Sequence, residues 1–156
     1  MTPREAFENQ QYELAHELWL PGAQAGEPGA QNAIGTLYYL GLGVRRDNSK
    51  AFEWFDKAAR QGHPGAQRNL GIMYQNGRGT EQDRNKAYTW FYAAEKQGNK
   101  GAAAYTDILA NKLTPNQLDQ AMRKADQYIV NPIDEYLPAP EIRAADPQVE
   151  DMRENP

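Results

Sequence analysis

The sequence has no cysteine among its 156 residues. That absence removes disulfide staples, thiolate zinc sites, cysteine nucleophiles and redox-active pairs together. It has a single serine, Ser49, and two histidines, His16 and His63, so little side-chain chemistry is left for nucleophilic catalysis. No run approaches the roughly 20 consecutive apolar residues of a membrane span, and the N-terminal region holds no apolar centre of a signal peptide. As written, the chain is expected in the cytoplasm; a periplasmic or secreted location is expected if a leader has been removed. The length admits one compact unit or a short repeat array at roughly 100 to 150 residues per domain, which argues against an enzyme with separate cofactor and substrate domains.

What is present is unevenly charged. The formal net charge is -4, yet residues 29–100 hold eleven basic residues against six acidic ones. Residues 1–28 hold one arginine against five glutamates, and residues 101–156 hold five basic residues against ten acidic. A basic middle thus lies between two acidic ends.

The middle also repeats itself. Laid over residues 65–100 without a gap, residues 29–64 match at Gly29, Ala30, Gln31, Gly35, Tyr38, Gly41, Gly43, Asp47, Lys50, Ala51, Trp54, Phe55, Ala58, Gln61 and Gly62. That is 15 identities in 36 positions, where about two or three would arise by chance. The period extends outward: Gly26 and Pro28 precede Gly62 and Pro64, and Gly101-Ala102 follow Gly65-Ala66, each by 36 residues. Two complete units therefore sit between partial ones, the signature of a stacked array.

Each unit reads as two helices. Ala30, Ile34, Leu37 and Tyr38, like Ala66, Leu70, Met73 and Tyr74, mark one face of a 3.6-residue period. This first helix of the unit, helix A, stops at Gly41 or Gly77, and Asp47 or Asp83 caps a second, helix B. Helix B carries Ala51, Trp54, Phe55 and Ala58, repeated as Ala87, Trp90, Phe91 and Ala94, and ends at Gly62 or Gly98. Glycine inside a helix costs on the order of 1 kcal/mol relative to alanine, so Gly35 and Gly71 are expected to admit Phe55 and Phe91 at close range, a larger gain. Thr114-Pro115-Asn116-Gln117 reads as a capping box opening a last helix over about 114–130, with Leu118, Ala121, Met122, Ala125 and Ile129 on one stripe and a polar outer face that suits a cap on the stack. Residues 131–156 differ in kind, with five prolines and seven acids against two arginines. Their composition gives a flexible acidic tail, or, with Ile133, Tyr136, Leu137 and Ile142 as anchors, a segment lying along the basic repeats.

The pattern from Gly35 to Gly62, with its copy from Gly71 to Gly98, resembles the Sel-one-like repeat (SLR) family, a branch of the tetratricopeptide-type α-solenoids. Leu18-Trp19-Leu20-Pro21 and Gly26 resemble the second helix of a preceding unit, and the likeness covers roughly residues 5–130. It implies an all-α fold: a short right-handed α-solenoid of antiparallel helix pairs, with about two full units and partial units at both ends, followed by the Pro-rich acidic tail. It also implies that the A helices line a concave surface, and that the role is to hold or present other proteins. The penicillin-related activity credited to cysteine-rich members is not carried over to a chain without cysteine.

Local motifs support no other reading. Gly41-Leu42-Gly43 and Gly77-Arg78-Gly79 follow a helix rather than a strand and lack the lysine of a phosphate loop, so they read as inter-helix turns. His16 and His63 have no ligand partner at metal spacing and read as exposed or loop histidines. Asp134-Glu135 falls in the Pro-rich tail and reads as a solvated acidic pair. Trp54, Phe55, Trp90 and Phe91 recur at core spacing and read as packing residues rather than a ligand box. Asn32, Thr36 and Tyr39, with Arg68, Ile72 and Gln75, face away from helix B and are expected to line the concave groove, with Leu40 and Asn76 at its edge. An exposed Tyr39-Leu40 pair beside Arg68 would give a mixed apolar and basic contact for a peptide.

The expected function is that of a non-enzymatic interaction module, scaffold or adaptor, binding a partner protein or peptide on the concave face, with no cofactor, no metal and no catalytic residue. The alternatives are a regulator that masks an enzyme or secreted effector and, after it, a small hydrolase, for which no polar constellation can be assembled. Nucleic acid is not expected as a partner, because the chain is acidic overall. The sequence leaves oligomeric state open.

Overall fold

The structure is a computed structural model that describes residues 1–130. The acidic tail expected over 131–156 lies outside the described residues. In order, the chain forms α1 (Pro3–Glu8), α2 (Tyr12–Gln24), α3 (Pro28–Leu40), α4 (Asn48–Arg60), α5 (Pro64–Asn76), α6 (Arg84–Lys96), a 3-10 turn (Lys100–Ala102), α7 (Ala103–Ala110) and α8 (Pro115–Asp126). No strand occurs among the described residues. The two full units are α3–α4 and α5–α6, so α3 and α5 are A helices and α4 and α6 are B helices.

Helix boundaries follow from the caps. Asp47 and Asp83 are extended, and their carboxylates accept from the Lys50 and Lys86 amides at the starts of α4 and α6. Pro28 and Pro64 open the A helices, where a missing N–H costs nothing and φ is already set. Thr114 and Gln117 complete the expected capping box of α8. A second box, Thr2 with Glu5, opens the short α1, an element the repeat pattern does not reach. Gly43 and Gly79 take positive φ, and a Cβ there would collide with the backbone at Tyr12–Glu13 and at Asn48. Each loop is thereby laid directly onto the start of the preceding B helix, or of α2 in its place.

Successive helices pack pairwise from α1 through α7. Within a unit the aromatic-on-glycine fit is as expected: a Cβ on Gly35 would stand 2.7 Å from the Phe55 ring, and one on Gly71 2.7 Å from the Phe91 ring. Both rings are fully buried, and Tyr105 of α7 stacks on Phe91 at 4.5 Å and 7°. The main core joins Phe55, Leu70, Met73, Trp90 and Phe91 across units. A smaller one joins Ile34 and Leu37 to Phe7, Trp19 and Leu20 of the N-terminal part unit. Trp90 is buried and Trp54 partly so, each packed into one of these clusters.

Two features place the surfaces that matter for function. Helix α3 meets α5 directly, and α3 and α5 are termed the inner row because the repeat resemblance implies that the A helices line the concave face. Helix α8 packs along α6 rather than pairing with α7, which turns the chain back toward the middle of the stack. It ends at Asp126, short of the expected 130, and residues 128–130 run on outside the helix.

Candidate functional site

Between the two inner helices lies a seam of polar side chains. The Asn69 Nδ2 donates to Asn32 Oδ1 at 3.0 Å, tying α5 to α3, and the Thr36 hydroxyl donates back to the Asn32 carbonyl at 2.9 Å. Arg68 lies one residue before Asn69, with its guanidinium 5.7 Å from the Tyr105 ring centroid. The seam brings together Asn32 and Thr36 of the expected set and adds Asn69, while Arg68 lies against Tyr105 and Gly101 of the following part unit.

The expected exposure of that set is corrected in part. Asn32, Thr36, Tyr39 and Ile72 are 0% exposed and Arg68 6%. Tyr39 and Ile72 are members of the main core, Tyr39 lying 6.5 Å from Phe55. Facing away from helix B does not mean facing water when the next A helix is this close. Leu40, Gln75 and Asn76 are half-buried and form the rim where the inner helices end. The exposed Tyr39-Leu40 pair is therefore reduced to Leu40.

A second arrangement, on the edge carrying the B-to-A turns, receives main chain. Gln31 Nε2 donates to the Ala23 carbonyl at 3.2 Å, and Gln61 Nε2 donates to Gln31 Oε1 at 2.8 Å. One unit later Gln67 Nε2 donates to the Ala59 carbonyl at 3.1 Å, and Gln97 Nε2 to Gln67 Oε1 at 2.6 Å. On this second rung the end of the described chain is seated. Gln67 Nε2 also donates to the Tyr128 carbonyl at 2.9 Å, and the Val130 N–H donates to Gln97 Oε1 at 3.1 Å. Val130 fills the space over Gly62, where a Cβ would collide with it. The Tyr128 ring lies 4.5 Å from that of Trp90, and its hydroxyl accepts from Arg60 Nη1 at 3.0 Å. Side-chain amides at repeat spacing thus hold the main chain that leaves the turn after α8. The trace of this ladder in the sequence is the recurrence of Gln31 and Gln61 after 36 residues, a signal as regular as that of the glycines.

His63 is not the exposed histidine the sequence suggests. It is buried at the start of α5, where Nδ1 accepts from the Ala66 amide at 3.0 Å. Burial pushes its pKa down to about 4, so the imidazole is neutral. His16 is half-buried edge-on to Tyr38 at 5.9 Å, and burial lowers its pKa as well. Arg78, in the α5–α6 loop, is 6% exposed, and its buried Nε has no hydrogen-bond partner among the described residues. Among those residues no cluster of His, Asp and Glu is built to hold a metal ion, and no helix is long and apolar enough to cross a membrane.

The Sel1 repeat family model matches residues 28–63 and 64–99, the two units drawn above to within one residue. No curated protein matches the sequence. Among solved structures, the chain resembles c5321, a protective antigen of uropathogenic Escherichia coli strains that displays an SLR fold. The TM-score is 0.76 at 30% identity, over 99% of this chain and 31% of that one. It also resembles a Sel1 repeat protein from Oxalobacter formigenes, with a TM-score of 0.68 at 30% identity, over 81% of this chain and 54% of that one. The chain spans about a third and about half of these two proteins. Sel1 repeats generally serve as protein-interaction modules. Residues 28–99 of this chain are two Sel1 repeats, set in an all-helical SLR fold.

Proposed function

We propose that the chain is a non-enzymatic interaction module that binds a partner protein or peptide along the inner face of α3 and α5. What supports this reading is the pair of Sel1 repeats, a family of protein-interaction modules, with the buried Asn32–Asn69 bond fixing α3 against α5 and leaving the rim of Leu40, Gln75 and Asn76 accessible. The rim offers the Gln75 and Asn76 amides beside the apolar Leu40, a mixed contact suited to a peptide. Amide side chains at repeat spacing already hold main chain elsewhere on this molecule, at Gln67 and Gln97. Preformed, rigidly mounted hydrogen-bonding groups lower the ordering cost of such a complex.

The rim is the place to test it, because Tyr39 and Ile72 hold the core. The triple variant Leu40→Ala, Gln75→Ala, Asn76→Ala, with its helix content and melting checked, is expected to lose partner capture by affinity purification and mass spectrometry. A control pair on α4, Glu53→Lys with Lys57→Glu, is expected to retain it. Capture that survives the rim variant and is lost in the control would place the binding face on the opposite side.

A further inference from the structure

Where α8 packs along α6, a cavity of about 200 Å³ lies between the two helices. Its apolar walls are the rings of Tyr74, Trp90 and Tyr128. Trp90 and Tyr128 lie 4.5 Å apart, and the Tyr128 hydroxyl accepts from Arg60 Nη1 at 3.0 Å, so this wall is held in place by contacts already made. A benzene-sized ring occupies a cavity of about 150 Å³. The space here therefore admits one such ring with a small substituent.

The charges around the cavity set the sign of that substituent. Arg60, Lys86 and Lys124 line it, and no aspartate or glutamate does. Two carboxylates stand behind the lining: Asp56, which accepts from Arg60 Nε at 2.9 Å, and Asp83, which caps α6 by accepting from the Lys86 amide. Of the acids on α8 itself, Asp119 pairs with Arg123 at 3.0 Å, and Asp126, two residues on from Lys124, falls on another face of the helix. Three cations against Asp56 and Asp83 leave one positive charge in excess. Lys86 and Lys124 are exposed and form no ion pair among the described residues, although Lys86 lies 5.6 Å from the Tyr74 ring. Burial, and after it the nearby Asp56, holds the Tyr74 phenol above its ordinary pKa, so it stays a neutral hydrogen-bonding group.

We propose that this cavity binds a small aromatic carboxylic acid, its ring against Tyr74, Trp90 and Tyr128 and its carboxylate toward Lys124, Lys86 and Arg60. The excess of one positive charge matches a monoanion, and the volume matches a single ring. None of the rim residues Leu40, Gln75 and Asn76 lines the cavity, so this is a small-molecule site separate from the proposed partner face. An occupant bridges α8 to α4, α5 and α6, and so stabilises the seating of the cap helix by mass action.

Phenylacetate titrated into the isotope-labelled full chain is the test. It is expected to shift the resonances of Thr89, the Trp90 indole, Ala121 and Tyr128 along a saturating curve with a Kd of about 1 mM, and to leave those of Leu40, Gln75 and Asn76 in place. Phenylacetamide keeps the ring without the charge and is expected to bind at least about threefold more weakly; Lys124→Gln is expected to weaken phenylacetate binding about two- to fivefold and to leave the amide unaffected. Gln120→Phe fills the cavity from an exposed position and is expected to abolish the shifts, with thermal melting used to confirm that the fold is kept. Shifts that never saturate, that are equal for acid and amide, or that survive Gln120→Phe would overturn the proposal.

Discussion

The two rows of helices are built from the same repeat yet have opposite chemistry. The B helices α4 and α6 show water a charged face stitched by weak surface contacts. Arg60 pairs with Asp56 at 2.9 Å, and Lys50 and Lys86 sit 5.3 and 5.6 Å from the rings of Tyr38 and Tyr74, one such contact per unit. The A helices α3 and α5 carry no acid and bury their polar side chains against one another. The outer row supplies the charged surface, and the proposed recognition falls to the inner one. A residue's neighbours across the stack, more than its helix face, decide whether it is surface or core.

The largest expected effect is at the contact that joins the rows. Phe91→Ala should cost about 3–5 kcal/mol in chemical denaturation, because the ring fills the notch over Gly71 and supports Tyr105. Both rows depend on that ring, so their helix signals should be lost together. An outer row that melts first would break the comparison at its root.

Next is the start of an inner helix. His63 has a folded pKa of about 4, below the value near 6.5 of an unfolded chain. Between those limits the unfolded state binds more protons than the folded one, so stability rises with pH there. The contribution is complete above about pH 6.5 and is lost as pH falls toward 4, on the order of 3 kcal/mol in full. A His63→Asn variant keeps a capping side chain without titrating, and its stability should be flatter across that window. Equal slopes for the two proteins would contradict the burial of this imidazole.

Smaller effects sharpen the contrast from the outer side. Asp83→Ala should cost about 1 kcal/mol through loss of the cap on α6. Asp119→Ala removes a solvent-exposed pair with Arg123 at 3.0 Å and should cost no more than about 0.5 kcal/mol. Thermal melts of both variants, side by side, should rank them in that order.

Much of the stack was legible in the sequence because its determinants are local or strictly periodic. Asp47, Asp83 and Thr114 cap within their own first turns, and Gly35 and Gly71 announce Phe55 and Phe91 by recurring with them. The candidate site was less legible, because its exposure depends on a distance between helices about 36 residues apart. Tyr39 has the right helix face for a groove, but the approach of α3 to α5 closes that face into core. The end of α8 was misplaced for a related reason. Ile129 fits the helical stripe, yet Gln67 and Gln97 take up the backbone groups of Tyr128 and Val130 in its place. His63 looked like a loop histidine because nothing within its own segment shows that it is buried.

The account turns on the inner row being the face that meets a partner, and amide hydrogen exchange of the chain with and without its captured partner tests that most directly. Slower exchange confined to α3, α5 and the rim from Leu40 and Gln75 is the predicted result. Slower exchange on α4 and α6, with the inner helices unchanged, would contradict it.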